Sequence, residues 1–297
     1  MHPARNGQAA HNRQASGTVP STRTSGGLWR RARQAGRLAR LFAATVTRTL
    51  YLSVSARRQP ADKRLIYRAR RQETGCRLLC KIAGIRVTVH GSLPESDTPA
   101  GRGRLLVCNH IGALDPIVLA SRMPVSFAGK AEIAQWPFVG WVTREMGVFS
   151  VERDRRTSTG EFVERVQERL QRGVDVLVFP EGQTTRGASV LTFKTGAFAA
   201  VAGDEQGTVI PLCLLPRSVE GRPAIGTDLE SVTWADTPQT FAEHVWHLLG
   251  LRYVHYDIHI GEPITTAGRD RKELAQVAHH AVEALHQSYN PDVQAAS

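Results

Sequence analysis

A histidine and an aspartate five positions apart are the strongest candidates for chemistry in this sequence of 297 residues. They are His110 and Asp115, in the segment N-H-I-G-A-L-D that begins at Asn109. An imidazole that removes a proton needs its other ring nitrogen held by an acceptor. A nearby carboxylate can fix that tautomer and stabilise the imidazolium. The spacing therefore predicts His110 as a general base and Asp115 as the residue that orients it.

Two simpler interpretations of the pair stay open on spacing alone. Asp115 precedes Pro116, so it is also predicted to be the N-cap of a helix that begins at Pro116, and capping could be its whole purpose. His110 is one of 11 histidines in the chain. The sequence contains no Gly-x-Ser-x-Gly motif that would supply a nucleophile. We therefore expect a base at His110 to activate a substrate hydroxyl directly.

The elements that must position this pair belong to an α/β fold. Beyond Gly84, short β-branched runs alternate with helical stretches, which favours a single domain with a parallel or mixed sheet flanked by helices. The run from Leu105 to Cys108 is predicted to be a buried strand that delivers His110 to its carboxyl end, where α/β sheets usually place their sites. The predicted strands cover residues 86–90, 104–108, 125–128, 148–151, 174–179, 209–214 and 256–260.

Two helices after the candidate pair have clear sequence signals. Apolar spacing predicts one helix over residues 158–172, with Ser158 and Glu161 as a capping box and Gly173 at its end. A second amphipathic helix is predicted from Asp270 to about Tyr289.

Positive charge is concentrated at the N-terminal end of the chain. Residues 1–90 contain 19 of the 38 Lys and Arg residues and only two acidic ones, whereas the rest of the chain is mildly acidic. The polar residues 1–27 are predicted to be a disordered tail. Residues 28–83 are predicted to form two basic amphipathic helices, 29–55 and 61–83, separated at Pro60. The α/β domain is then expected over residues 84–290, with a short tail at 291–297.

The two basic helices are typical of an interfacial membrane anchor, in which apolar faces enter the headgroup region and arginines contact anionic lipid. The uncharged runs of these helices, such as residues 41–47, are far shorter than the roughly 20 residues that a spanning helix needs. The alternative is that the helices only pack on the domain and expose their arginines to solvent. Nucleic acid is not expected as a partner, because no recognition motif accompanies the charge. Sparse cysteines indicate a reducing compartment, so we expect a peripheral protein on the cytoplasmic face of the inner or plasma membrane.

Four motifs, in order over about residues 85–265, resemble those of the PlsC-type glycerolipid acyltransferases. His110 and Asp115 match the first motif, which is His, four residues and Asp. Lys130, with the residues that follow it, fits the stretch between the first two motifs. The other three matches are Gly147-Val148-Phe149-Ser150-Val151-Glu152-Arg153, Phe179-Pro180-Glu181-Gly182 and Val209-Ile210-Pro211-Leu212.

The resemblance implies transfer of a fatty acyl group from an acyl-CoA or acyl-carrier-protein thioester to the hydroxyl of a lysolipid of the 1-acylglycerol-3-phosphate type. It implies no metal, no bound cofactor and no acyl-enzyme. His110 and Asp115 would be the catalytic residues. Arg153 suits an anionic headgroup or the phosphates of the donor, because a guanidinium fits phosphate with two parallel hydrogen bonds. The expected substrate-binding residues are Asn109, Lys130, Arg153, Glu181, Gly182 and Arg186.

The third motif departs from the usual pattern of the family, which continues with Thr-Arg after Glu-Gly. Thr184 stands where the family has an arginine that is implicated in phosphate binding, and Arg186 is hypothesised to substitute for it. The extended form of this region, with residues 234–251, is more similar to the subgroup that acylates lyso-ornithine lipids. A lyso-ornithine lipid is therefore the alternative acceptor. An alternative of another class is a non-catalytic protein that binds membrane lipid.

Overall fold

The structure is a computed structural model that describes residues 24–94, 101–130, 137–151, 156–235 and 237–290. Within these ranges, nine strands form one sheet. The strands are β1 (Ile85–His90), β2 (Leu105–Cys108), β3 (Val125–Lys130), β4 (Phe149–Val151), β5 (Asp175–Val178), β6 (Thr208–Val219), β7 (Arg222–Pro223), β8 (Val254–Ile260) and β9 (Ile264–Thr265). All seven predicted strands are present, and β6 is longer than predicted.

The sheet is mixed, as the sequence predicts. Its order is β1-β8-β6-β2-β5-β3-β4, while β7 and β9 pair with β6. The pairs of β2 with β5 and with β6 are parallel, whereas β6 and β8 are antiparallel. Every residue of β2 and β5 is buried, which explains why both strands have apolar runs without alternation. Because parallel strands end at the same edge, the residues after Cys108 and after Val178 meet there.

Helices cover both faces of this sheet. On one face, α2 (Arg64–Ala83) and α3 (Asp115–Ala120) pack on Leu106, Cys108 and Leu177. On the other face, α5 (Arg156–Gln171) and α8 (Arg271–Tyr289) pack on Leu105 and Val107. The helices are α1 (Thr24–Arg57), α2 (Arg64–Ala83), α3 (Asp115–Ala120), α4 (Pro137–Glu145), α5 (Arg156–Gln171), α6 (Gly226–Val232), α7 (Phe241–Gly250) and α8 (Arg271–Tyr289).

The two N-terminal helices pack on the rest of the protein. The buried Arg37 of α1 donates hydrogen bonds to the carbonyl oxygens of Leu249, Leu251 and Arg252, at the end of α7 and just after it. Cys76 of α2 belongs to the same core as the sheet. The predicted domain boundary at residue 84 stays a prediction, but α2 shares its core with the sheet. None of the described helices has the length and apolar character that a membrane crossing requires.

The helix-capping predictions have mixed outcomes. Asp270 is the N-cap of α8 and forms a reciprocal capping box with Glu273, so that helix is confirmed. The capping box predicted at Ser158 is wrong, because α5 begins at Arg156 and Ser158 lies inside the helix. The carboxylate of Glu161 instead accepts hydrogen bonds from Arg165, one turn later on the same helix.

Candidate active site

His110 and Asp115 are joined by a hydrogen bond of 2.7 Å between Nδ1 and Oδ2. A carboxylate can only accept, so Nδ1 of His110 is the donor and Nε2 carries the free lone pair. The imidazole stacks on Phe179, with 4.2 Å between ring centroids and 20° between planes. Its side chain keeps 17% exposure, which leaves it within reach of a substrate. The geometry is that of a histidine general base with a carboxylate partner.

Asp115 also folds the loop that carries His110. Its Oδ2 accepts hydrogen bonds from the N–H of Ile111 at 2.7 Å and of Gly112 at 2.8 Å. The N-cap residue of α3 is Leu114, and no side chain caps that helix. The prediction that Asp115 is a helix cap is therefore wrong. Its carboxylate turns back toward the loop before it, where the imidazole and two N–H donors stabilise it together.

Glu181 reaches the same loop from the end of β5. Its Oε1 accepts a hydrogen bond of 2.8 Å from the N–H of His110, and its Oε2 accepts one of 3.0 Å from the N–H of Leu191. Glu181 is only 2% exposed. It emerges at the same edge as His110, because β2 and β5 are parallel. However, both carboxylate oxygens bind the main chain, so the geometry supports positioning of His110 instead of the predicted contact with substrate.

Burial raises the pKa of Glu181 from its usual value of 4.5 to about 7, and the two N–H donors act in the opposite direction. The carboxyl group can therefore change its charge close to neutral pH. It does so in contact with the main chain of the proposed base.

The side chain of Asn109, the residue after β2, forms two hydrogen bonds with the main chain of β6 and so continues the pairing of the two strands. Its Nδ2 donates to the carbonyl oxygen of Leu214 at 3.0 Å, and its Oδ1 accepts from the N–H of Leu214 at 2.8 Å. The side chain is buried. Both polar atoms of the side-chain amide bind the main chain of Leu214, so this geometry does not support the substrate-binding role predicted for Asn109. Asn109 instead fixes where β2 ends and the catalytic loop begins.

Gly182 lets a cation approach the turn after β5. Its φ is +74°, a conformation that glycine adopts without strain. A Cβ at this position would lie 2.5 Å from Nζ of Lys194. The sequence analysis did not single out Lys194 as a site residue, although the lysine lies over the third motif.

The remaining predicted binding residues are Arg186, Lys130 and Arg153. Arg186 is 59% exposed and lies 4.0 Å from the carboxylate of Glu230, which is 62% exposed. Glu230 belongs to α6, a helix that sequence analysis did not connect with the site. The backbone of Lys130 ends β3, opposite Val151 of β4. Arg153 lies outside the described residues, so its role stays a prediction.

Several residues that hold the site together have weak sequence signals. The N–H of Thr185 donates to the carbonyl oxygen of His110 at 2.7 Å. The carbonyl oxygen of Gly187 accepts hydrogen bonds from His286 Nε2 at 2.9 Å and Asn290 Nδ2 at 3.0 Å. The four-residue spacing of His286 and Asn290 could have placed them on one side of the end of α8. Nothing in the sequence identifies Gly187 as their partner.

A second buried histidine lies near Asp115. Burial lowers the pKa of His244 to about 4, with a further contribution from His247, whereas the charge of Asp115 acts in the opposite direction. His244 is therefore neutral at physiological pH. The carboxylate of Asp115 is thus held by hydrogen bonds from the loop and from His110, and a charged His244 plays no part in this.

Known proteins with similar sequences are lipid acyltransferases. Residues 86–215 match the family model described as Acyltransferase. The chain is 32% identical to the lyso-ornithine lipid O-acyltransferase of Brucella abortus over 71% of its own length and 80% of that protein. It is also 32% identical to the protein of that name from Pseudomonas aeruginosa, over 69% and 73% of the two chains. The 1-acyl-sn-glycerol-3-phosphate acyltransferase of Neisseria gonorrhoeae is 32% identical over 39% of this chain and 45% of its own.

The fold agrees with these sequence relationships. The crystal structure of the PlsC acyltransferase from Thermotoga maritima superimposes with a TM-score of 0.57 at 18% identity, over 85% of this chain and 97% of that one. The interpretation as a non-catalytic lipid-binding protein is not supported by these relatives, all of which are named as enzymes. The chain belongs to the acyltransferase family, and it is an acyltransferase of the lysophospholipid and lyso-ornithine lipid type.

Proposed function

We propose that the protein transfers a fatty acyl group from a thioester of CoA or acyl carrier protein to the hydroxyl of a lyso-ornithine lipid, with His110 as the general base. The observation that carries the mechanism is the 2.7 Å hydrogen bond between His110 Nδ1 and Asp115 Oδ2. Nε2 of His110 removes the proton of the acceptor hydroxyl as its oxygen attacks the thioester carbonyl. The resulting imidazolium, stabilised by Asp115, then protonates the departing thiolate.

The charges near the loop support the choice of acceptor. An ornithine headgroup carries a carboxylate and an amine, and Arg186 with Glu230 presents a cation and an anion 4.0 Å apart. A phosphate headgroup would meet repulsion from Glu230. Thr184, at the position of the phosphate-binding arginine of the family, supports the same choice. Two relatives described above align with more than two thirds of this chain, and both are named lyso-ornithine lipid O-acyltransferases.

The outer surface of α1 supports a membrane location for the reaction. Several large apolar side chains of this helix are exposed, and they alternate with arginines such as Arg31 and Arg40. Apolar contact with acyl chains and electrostatic attraction to anionic headgroups would act together on such a helix. The exposed apolar residues of α1 are Leu28, Trp29, Leu38, Phe42, Leu50, Tyr51 and Val54.

Replacement of the base tests the mechanism. His110→Ala should lower kcat by at least about 100-fold, because the hydroxyl would lose its proton acceptor. Thiol release from acyl-CoA or acyl carrier protein in the presence of lyso-ornithine lipid measures the rate. Asp115→Asn, which keeps an oxygen acceptor but removes the charge, should also lower kcat. Circular dichroism and vesicle binding should not change for His110→Ala, and normal turnover by this variant would refute the mechanism.

The pKa of Glu181 predicts a pH-dependent stability. The folded protein binds the carboxyl proton of Glu181 more tightly than the unfolded chain does. The stabilisation that this proton provides is therefore complete below about pH 4.5 and is lost as the pH rises through about 7. Relative to Glu181→Gln, the wild type should therefore lose up to about 3 kcal/mol of unfolding free energy between pH 4.5 and 8. Urea unfolding at several pH values measures this difference. The exposed Glu164→Gln should instead parallel the wild type, and a pH-independent difference for Glu181→Gln would contradict the assignment.

The acceptor proposal predicts opposite effects of two substitutions. Arg186→Ala should raise KM for lyso-ornithine lipid about fivefold, equivalent to about 1 kcal/mol for an exposed ionic contact. Glu230→Gln should improve the use of lysophosphatidic acid relative to lyso-ornithine lipid. Arg172→Ala is the matched control, because Arg172 pairs with Glu168 near the amino end of β5, at the opposite edge of the sheet. A wild-type preference for lysophosphatidic acid would refute the acceptor assignment and leave the mechanism intact.

The membrane proposal is tested on the surface of α1. The double substitution Trp29→Glu and Phe42→Glu should weaken binding to anionic vesicles at least about tenfold, because two aromatic side chains no longer enter the apolar region. Vesicle sedimentation measures the affinity. The same change at Ile225, an exposed apolar residue outside α1, is the control. Substitution is preferable to deletion of residues 28–83, because deletion would remove the core residues Cys76 and Cys80. Unchanged sedimentation of the double variant would place the membrane contact elsewhere.

A further inference from the structure

A second cluster of chemically active side chains lies on β1 and β8. His90 pairs in register with His259, and Thr88 pairs with Asp257. Side chains two positions apart on a strand share a face, so all four project to one side of the sheet. His259 stacks on Tyr289 of α8, with 4.0 Å between centroids. The cluster thus lies on the α5/α8 face, whereas His110 stacks on Phe179, which packs against the core of the α2/α3 face.

Three of these side chains bring possible metal-ligand atoms close together. One ligand atom from each of His90, Asp257 and His259 lies within 4.8 Å of the others. His90 Nε2 is 3.4 Å from Asp257 Oδ1. Tetrahedral zinc with bonds of about 2.0–2.1 Å places its ligand atoms about 3.3 Å apart, close to this separation. Two imidazoles and one carboxylate are a known set of three protein ligands for zinc.

Asp257 gives independent evidence for a cation. It is 5% exposed, and its Oδ1 is buried without a hydrogen-bond donor. The other oxygen, Oδ2, accepts a hydrogen bond of 2.9 Å from Arg217. A buried carboxylate oxygen without a donor is unfavourable unless a positive partner reaches it. Arg217 orients the carboxylate and leaves Oδ1 directed at the histidines, as an outer partner of a ligating carboxylate does.

A further histidine, His255, lies beside the cluster, and its Nε2 is 3.7 Å from Asp257 Oδ1. His255 Nε2 is 2.7 Å from Thr88 Oγ1, so its ring is already engaged beside the cluster. Arg217 from β6 pairs with Asp257, and Arg86 from β1, which is in register with His255, stacks its guanidinium on Tyr253.

The rings of His90 and His259 are parallel, with 4.5 Å between centroids and 8° between planes. Two parallel rings cannot both direct a lone pair at one ion, so one of them must turn. His259 is held between His90 and Tyr289, whereas the side chain of His90 is 42% exposed. His90 is therefore the ligand that can rotate toward the ion.

We propose that His90, Asp257 and His259 bind a divalent transition metal of the zinc type, with a fourth position open to solvent. The ion would tie the edge strand β1 to β8. Because β1 follows directly on α2, such a tie would stabilise the junction between the N-terminal helices and the sheet. The site is separate from His110, and the acyl transfer proposed above does not depend on it.

Calorimetric titration of the full-length protein with zinc chloride at pH 7.5 tests this site. We expect one zinc ion per chain, and binding by His90→Ala should be at least about tenfold weaker. Zinc should also raise the melting temperature of the wild type more than that of His90→Ala, because an ion that binds only the folded state stabilises it. His280→Ala is the matched control, since this exposed histidine lies on α8 outside the cluster.

Asp257→Asn is the second variant, and Co²⁺ is the second probe. Asp257→Asn should abolish the strong visible absorption of tetrahedral Co²⁺ that we expect for the wild type. If Asp257→Asn does not fold, His90→Ala decides the question, because His90 is exposed. The proposal is overturned if the wild type binds no zinc, if His90→Ala binds it as tightly as the wild type, or if His280→Ala weakens it equally. None of these readouts requires acyltransferase activity.

Discussion

One carboxylate oxygen organises the candidate site. Oδ2 of Asp115 accepts hydrogen bonds from His110 Nδ1 and from the N–H groups of Ile111 and Gly112. The loop closes around this oxygen, so the shape of the loop and the tautomer of the base have the same cause. The same oxygen is placed to stabilise an imidazolium at His110. The spacing of four residues between histidine and aspartate is the spacing that this closed loop requires.

The loop around Asp115 is in turn attached to its neighbours through the main chain of His110. Glu181 accepts the N–H of His110, and Thr185 donates to its carbonyl oxygen. Both partners come from the segment after β5, which reaches His110 because β2 and β5 are parallel neighbours. The first and third motifs are therefore two halves of one structure. The carboxylate of the third motif, Glu181, is accordingly buried against the main chain of His110.

Sequence analysis succeeded where local patterns determine the structure. The apolar runs at β2 and β5 predicted strands of an α/β sheet, and the position of His110 at the carboxyl end of a buried strand followed from them. It failed where a side chain has a choice of partners. Asp115 has the sequence context of a helix cap, yet it binds the loop before it. The binding roles of Asn109 and Glu181 stay predictions, although their polar atoms bind the main chain of Leu214, His110 and Leu191. Such choices depend on distant chain segments, which spacing does not reveal.

The contact between α8 and Gly187 joins two distant parts of the chain beside the candidate site. His286 and Asn290 bind the carbonyl oxygen of Gly187, about 100 residues earlier in the chain, and Gly187 is two residues from Thr185. The end of α8 therefore helps to hold the segment that binds the main chain of His110, although neither residue belongs to any of the four motifs.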